Sequence, residues 1–284
     1  MLHAWRMHEG DPIEAVRAHF DALADGEWDR LVSSPRTRVS LELHRRMLAR
    51  FIQRGARVLE VGAGPGRFTI ELVDLEATVV VSDVSTVQLA LNEVKVAAAG
   101  RDHAVEDRLV LDIRDLSALG DDSFDAVVAY GGPISYAFER AEEALGECLR
   151  VTRPGGAVLA SVMTTLGTMR LFLPTVVNEI DTFGIDVTEK VIHTGDLRHT
   201  PGPHAHRCRM FRWRELEDMF SRLPCTLKAA SASNATSAGD PDALDRLAGN
   251  AEWWERFLDW EEELAQEPGA LDGGTHTIFV LERT

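Results

Sequence analysis

The hydrophobic positions change rhythm several times along the chain, and those changes outline a fold. Between residues 57 and 163, short apolar or β-branched runs at 57–62, 78–84, 109–113, 124–129 and 157–163 alternate with stretches of helical period at 68–75, 87–99 and 137–151. Runs that are apolar at nearly every position suit strands buried on both faces, and this alternation predicts a mostly parallel sheet with helices on both sides. Right-handed crossovers then bring the loops after the strands to one edge.

The flanks are less regular. Ile13, Val16, Phe20 and Leu23 fall at helical spacing, and a second helical pattern runs through Val39, Leu43, Met47, Leu48 and Phe51 until Gly55 stops it. Coming before the sheet, these helices either cap its end or lie over its ligand edge. Beyond residue 163 the rhythm breaks. Residues 164–183 read as helical despite Pro174, 191–209 have no clear period, and a helix at 213–222, a strand at 227–233, a helical block at 241–267 and a strand at 275–281 complete the chain. The expected architecture is a doubly wound, Rossmann-like, mostly parallel seven-stranded α/β sheet. It divides into an N-terminal helical cap (1–55), a ligand-binding core (56–163), a lid insertion (164–211) and a C-terminal completion of the sheet (212–284) with an additional helix at 241–267.

Composition narrows the partners. A net charge of -16 opposes the basic footprint that nucleic acid requires. Cys148, Cys208 and Cys225 are sparse and odd in number, which fits a reducing cytoplasm rather than a disulfide framework. No apolar run approaches the roughly 20 residues of a membrane helix, and the first ten residues lack the pattern of a signal peptide. The expectation is a cytoplasmic protein with neither nucleic acid nor membrane as partner.

The chemistry centres on the turn after the first strand. Gly62, Gly64 and Gly66 allow positive φ and close approach of a ligand to the backbone. A dinucleotide fingerprint would place its third glycine where Arg67 stands, so a pyrophosphate cradle is disfavoured. About 20 residues on, Asp83 ends a strand where a carboxylate can accept from two ribose hydroxyls. Asp112, at the end of the next run, can accept from an adenine amino group.

With these residues in place, 57–163 resembles the class I S-adenosylmethionine-dependent methyltransferases, of the type 11/25 kind that act on small molecules. VLEVGAGPG at 58–66 matches the family's first motif, Asp83 its ribose acid and Asp112-Ile113 its adenine-contacting pair, while FDAVV at 124–128 and LRVTRPGG at 149–156 match its fourth strand and the turn before its fifth. The resemblance implies S-adenosyl-L-methionine as cofactor. It places Glu60 and Gly62 near the methionine portion, with Ala63, Gly64 and Gly66 completing the turn. Asp83 would take the ribose, Val84 and Ile113 would flank the adenine, Asp112 would meet its amino group, and Tyr130 would border the methyl group.

The expected reaction is in-line methyl transfer to a small-molecule acceptor, at oxygen or nitrogen rather than carbon. Tyr136, in the GGPISY stretch at 131–136, and His206, in a polar segment with His193, His199, His204 and Cys208, are the candidate catalytic residues. The spacing of His204, His206 and Cys208 is not that of a structural zinc site, and no metal is expected. Arg36, Arg38, Arg45 and Arg46 read as a solvated helix face. The Trp-rich helix at 253–264 fits core packing or a homodimer contact. Two other readings compete: a nicotinamide oxidoreductase, disfavoured by the glycine spacing, and a non-enzymatic regulatory protein that binds S-adenosylmethionine.

Overall fold

The computed structural model describes residues 11–202 and 207–284. Its strands are β1 (Arg57–Val61), β2 (Thr78–Asp83), β3 (Val105–Val110), β4 (Phe124–Ala129), β5 (Thr152–Met163), β6 (Cys225–Ala232) and β7 (His276–Arg283), forming one sheet in the order β3-β2-β1-β4-β5-β7-β6. From β3 to β5 all neighbours are parallel, and β7 runs antiparallel to both β5 and β6. The chain winds outward through β1, β2 and β3, then returns to start β4 on the other side of β1. That reversal opens a crevice at the carboxyl ends of β1 and β4, where open α/β sheets bind ligands.

Three helices precede β1: α1 (Pro12–Leu23), α2 (Gly26–Arg30) and α3 (Pro35–Phe51). Between strands lie α4 (Arg67–Asp74), α5 (Thr86–Ala98), the short α6 (Pro133–Tyr136) and α7 (Ala141–Val151). Strand alternation divides the core: Val58, Val79 and Val81 pack with Leu43, Leu48 and Leu72 on one face, while Leu59, Val61 and Val80 pack with Leu145, Leu149 and Phe220 on the other. Ser34 begins α3 with a capping box to Thr37, and Pro35 takes the first turn, where its missing N–H costs nothing.

Several boundaries differ from the sequence expectation. The third strand ends at Val110 rather than 113, which leaves Asp112 in the loop beyond it. The fifth begins at Thr152, before the Pro-Gly-Gly turn. The helical stretch at 164–183 is two helices, α8 (Thr165–Leu171) and α9 (Leu173–Phe183), with Pro174 in the first turn of the second. A third, α10 (Ile185–Thr194), ends at Gly195 in the left-handed region. After α11 (Trp213–Phe220), the block at 241–267 divides into α12 (Pro241–Ala248) and α13 (Ala251–Ala265), because Asn250 caps the second helix by accepting from Trp253 N. Among the described residues no helix is long and apolar enough to cross a membrane.

Of the two places expected for the N-terminal helices, α1 and α2 take one and α3 takes neither. α3 covers one face of the sheet, whereas α1 and α2 lie over the ligand edge. Gln88 Nε2 donates to the Phe20 and Ala24 carbonyls, Ser85 Oγ donates to Asp21, and Lys95 pairs with Asp25. The segment after β5 packs against this roof from outside. Val191, Cys208 and Met210 join Ile13, Val16, Tyr136 and Phe138 in a small separate core.

Candidate active site

Gly62 follows β1 directly. The N–H groups of Gly62 and Ala63 both donate to the Ser82 carbonyl, at 2.8 and 3.0 Å, so the turn is tied to the end of β2. Gly62 has φ +68°, and a Cβ there would stand 2.5 Å from Pro133 Cγ, so glycine is required both by conformation and by the approach of the loop after β4. Gly64 N donates to Asp83 Oδ2 and Ser85 N to Asp83 Oδ1, each at 2.9 Å. Asp83 is thereby fixed at the cleft with lone pairs to spare on both oxygens. Burial, opposed by these two N–H groups and assisted by the charges of Glu27 and Asp21, raises its pKa to about 6.

A single cleft, open to solvent, collects most of the expected residues: Gly62, Ala63, Gly64, Asp83, Val84, Asp112, Ile113, Tyr130 and Tyr136 all line it. Two expected residues stand behind the wall. Glu60 points to the face of the sheet shared with Val58 and accepts from Thr69 Oγ1 at 2.5 Å, and burial, with Asp83 nearby, raises its pKa to about 8. Gly66 serves packing, since a Cβ on it would lie 2.7 Å from Val96 Cγ2 and 2.9 Å from Asn92 Nδ2. His206 and His204 fall outside the described residues, and the cleft takes no described residue from 164–211. The roof is α1 and α2 instead, through Ile13, Val16, Phe20, Glu27 and Arg30. Among the described residues no cluster of His, Cys, Asp or Glu is placed to hold a metal.

The Asp112 carboxylate is already engaged. Arg114 donates to it through its backbone N at 2.8 Å and through Nε and Nη2, the latter at 2.6 Å, and reaches on through Nη1 and Nη2 to Asp11 at 3.0 Å each. Asp11 also caps α1 by accepting from Ile13 N. One arginine therefore joins the loop after β3 to the first turn of the roof helix. Sequence reading missed Arg114 and Asp11, and Asp-x-Arg spacing offers no signal for a link across 103 positions.

Aromatic rings form the remaining walls. Phe20 meets Tyr136 edge-on with centroids 5.4 Å apart, and Phe68 meets Tyr130 at 5.2 Å. Burial raises both phenols well above their ordinary pKa, so at neutral pH each is a protonated hydroxyl. Glu27 and Arg30 form an ion pair on the lining, and Arg67 donates to the Trp28 carbonyl, tying α4 to the roof.

Comparison with known proteins agrees with this geometry. The sequence model of a family described as "Methyltransferase domain" matches residues 58–156. No curated protein matches the chain by sequence. Among solved structures, the Burkholderia thailandensis 1,6-didemethyltoxoflavin-N1-methyltransferase, with bound 1,6-didemethyltoxoflavin and S-adenosylhomocysteine, is similar with a TM-score of 0.54 at 16% identity, covering 100% of this chain and 93% of its own. A Thermotoga maritima protein described as a SAM-dependent methyltransferase, possible histamine N-methyltransferase, aligns with a TM-score of 0.55 at 15% identity over 93% of this chain and 98% of its own. The [4+2]-cyclase SpnF shares the fold too, with a TM-score of 0.54 at 17% identity over 85% of this chain and 80% of its own. At such identities the likeness concerns the fold, and the domain match carries the activity. Residues 58–156 thus match a methyltransferase domain, set in a seven-stranded, mostly parallel Rossmann-like sheet.

Proposed function

We propose that the protein methylates a small molecule at oxygen or nitrogen, with the cofactor lying along the carboxyl ends of β3, β2 and β1. The carrying observation is the Asp83 carboxylate, fixed by Gly64 N and Ser85 N yet retaining lone pairs on both oxygens for a ribose diol. The rest of the cleft fits as well. A Cβ on Gly64 would meet only Glu27 Cγ, at 3.8 Å, so the turn leaves room for a ligand against its backbone. Val84 and Ile113 offer apolar faces to an adenine, and Asp112 stands beside them.

When bound, the cofactor supplies a methyl group on a positively charged sulfur. An acceptor held beside that group would take the methyl from it, and the residues lining the cleft would bind and orient both. The protein's contribution is alignment and exclusion of water. The roof of α1 and α2 over the cleft supports the reading of a small-molecule acceptor. Tyr136, on the lining and held protonated, serves as a donor that orients the acceptor rather than as its base. We assign base or positioning chemistry from the segment after β5 to His206. Trp253 and Trp260, both more than half exposed on α13, mark the surface we assign to a homodimer contact.

Two experiments test this reading. Calorimetry with S-adenosylhomocysteine should show binding by the folded protein, and no binding would end it. Mass spectrometry of a cell extract incubated with protein and isotopically labelled methyl donor should show a mass-shifted metabolite, whereas label confined to protein or RNA would reject a small-molecule acceptor.

A further inference from the structure

Among the residues lining the cleft, five carry charged side chains: Glu27, Arg30, Arg67, Asp83 and Asp112. The cofactor reading uses only two of them. Asp83 is assigned to the ribose, and the charge of Asp112 is matched by Arg114. Glu27, Arg30 and Arg67 remain, one carboxylate and two guanidinium groups, all on α2 or tied to it.

Both arginines keep donors in hand. Arg30 Nε donates to Glu27 Oε1 and Oε2 at 2.8 and 2.9 Å, and its Nη2 lies 2.7 Å from Glu27 Oε1. That leaves the Nη1/Nη2 end of the fork, and Nη1 has no acceptor among the described residues. The side chain is 43% exposed and lines the cleft, so this end is open to a ligand. Nη2 would stand 3.8 Å from a Cβ on Gly131, which sets the guanidinium over the loop that follows β4. Arg67 Nε and Nη2 both donate to the Trp28 carbonyl, at 3.2 and 2.6 Å, and Arg67 makes no ion pair with any described residue. Burial lowers its pKa, although the charges of Asp29 and Glu71 oppose the shift, so an anion nearby would relieve a charge held at a cost.

Charge balance indicates what these donors meet. By themselves the carboxylates of Glu27 and Asp83 offset the two guanidinium groups. The amino-acid end of the cofactor adds one charge of each sign, and its sulfonium adds a positive charge that no remaining carboxylate on this side offsets. We propose that the acceptor is an acid, a small molecule whose carboxylate or phosphate oxygens dock on the Nη1 end of Arg30, with Arg67 adding positive charge. A guanidinium end matches either anion with two parallel N–H bonds, which are shorter and stronger than neutral ones. Glu27 holds the other edge of Arg30 and so fixes the direction in which that end points.

The inference rests on the methyl-transfer reading, and one fractionation separates the two. Metabolites of a cell extract are divided on an anion-exchange resin at neutral pH, and the retained and unretained pools are each incubated with the protein and isotopically labelled methyl donor. A mass-shifted product should come from the retained pool. A product from the unretained pool alone overturns the acidic acceptor and leaves methyl transfer standing, whereas no product from either pool rejects the methyl-transfer reading and this inference with it. With the retained acceptor identified by its mass, Arg30→Gln should raise its KM about tenfold, equivalent to roughly 1.4 kcal/mol, and leave S-adenosylhomocysteine affinity unchanged. Arg30→Lys keeps the charge and should recover most of that loss. Because Arg30→Gln leaves Glu27 unpaired, the double variant Glu27→Gln with Arg30→Gln removes both charges together and should show the same rise in KM. An unchanged KM in either folded variant, or a loss confined to S-adenosylhomocysteine affinity, overturns the assignment of Arg30 to the acceptor.

Discussion

Replacing Asp83 with alanine tests the cofactor site most directly. Asp83 is 7% exposed, and its two oxygens hold Gly64 N and Ser85 N at 2.9 Å. Two effects on stability oppose each other. Two backbone donors lose their acceptor, at about 1–3 kcal/mol each, while a carboxylate whose burial raises its pKa from 3.8 to about 6 is removed, a relief of roughly 3 kcal/mol at neutral pH. The fold should therefore survive with a small net change. Binding has no such compensation. Two ribose hydroxyls donating to a charged acceptor, at about 1.5 kcal/mol or more each, predict a loss near 3 kcal/mol, or about a hundredfold in Kd. The pH dependence follows from the sign of the shift. With the folded pKa above the unfolded one, the native state binds more protons between about pH 4 and 6, and Asp83's contribution to stability falls as pH rises through that window. Ligand hydroxyls favour the ionised form, so S-adenosylhomocysteine affinity should rise as pH increases toward 6 in the wild type, with proton release, and this rise should be absent in Asp83→Ala. Calorimetry in two buffers of different ionisation enthalpy measures both quantities. A folded Asp83→Ala protein that binds within threefold of wild type would refute the ribose assignment.

Further expectations concern the frame of the site. Gly66→Ala, at φ +95° and 2.7 Å from Val96 Cγ2, should cost about 1–3 kcal/mol in chemical denaturation, and a cost near zero would mean that α4 and α5 are free to part. Asp11→Ala removes both the cap of α1 and one end of the Arg114 link, so limited proteolysis should cut the roof segment sooner and S-adenosylhomocysteine should bind more weakly; an unchanged digestion rate would count against the link. Burial opposes ionisation of Asp11, yet its bonds from Arg114 and Ile13 hold its carboxyl below the usual range. Its contribution is thus present above about pH 4 and lost as pH falls, and roof cleavage in the wild type should accelerate on acidification through that range. Glu261, fully buried, accepts from Ala235 N at 2.6 Å and from Thr236 N and Ser237 N at 3.0 Å. Glu261→Gln replaces an acceptor oxygen with a donor and should destabilise by about 2–4 kcal/mol, and a melting temperature equal to wild type would show that the β6–α12 loop does not depend on this carboxylate.

The sequence by itself determined the sheet, the turn and the cofactor class. Near-continuous apolar runs such as 79–81 suit a strand covered on both faces, and Gly62 and Gly64 mark a tight turn beside Asp83 because that backbone chemistry is local. Periodicity also showed that α1 has an apolar face, but not what the face meets: Ile13, Val16 and Phe20 roof the cleft only because Asp11, Asp21 and the Phe20 carbonyl find Arg114, Ser85 and Gln88 from loops and helices far along the chain. The same limit applies to single residues. Glu60 turns toward Thr69 because alternate residues of β1 face opposite layers, Gly66 is required by the approach of α5, and Asp112 is held by Arg114. Pattern encodes which face of an element is buried. Only the packing of elements decides which neighbours share that burial, and the chemistry of a site depends on those neighbours.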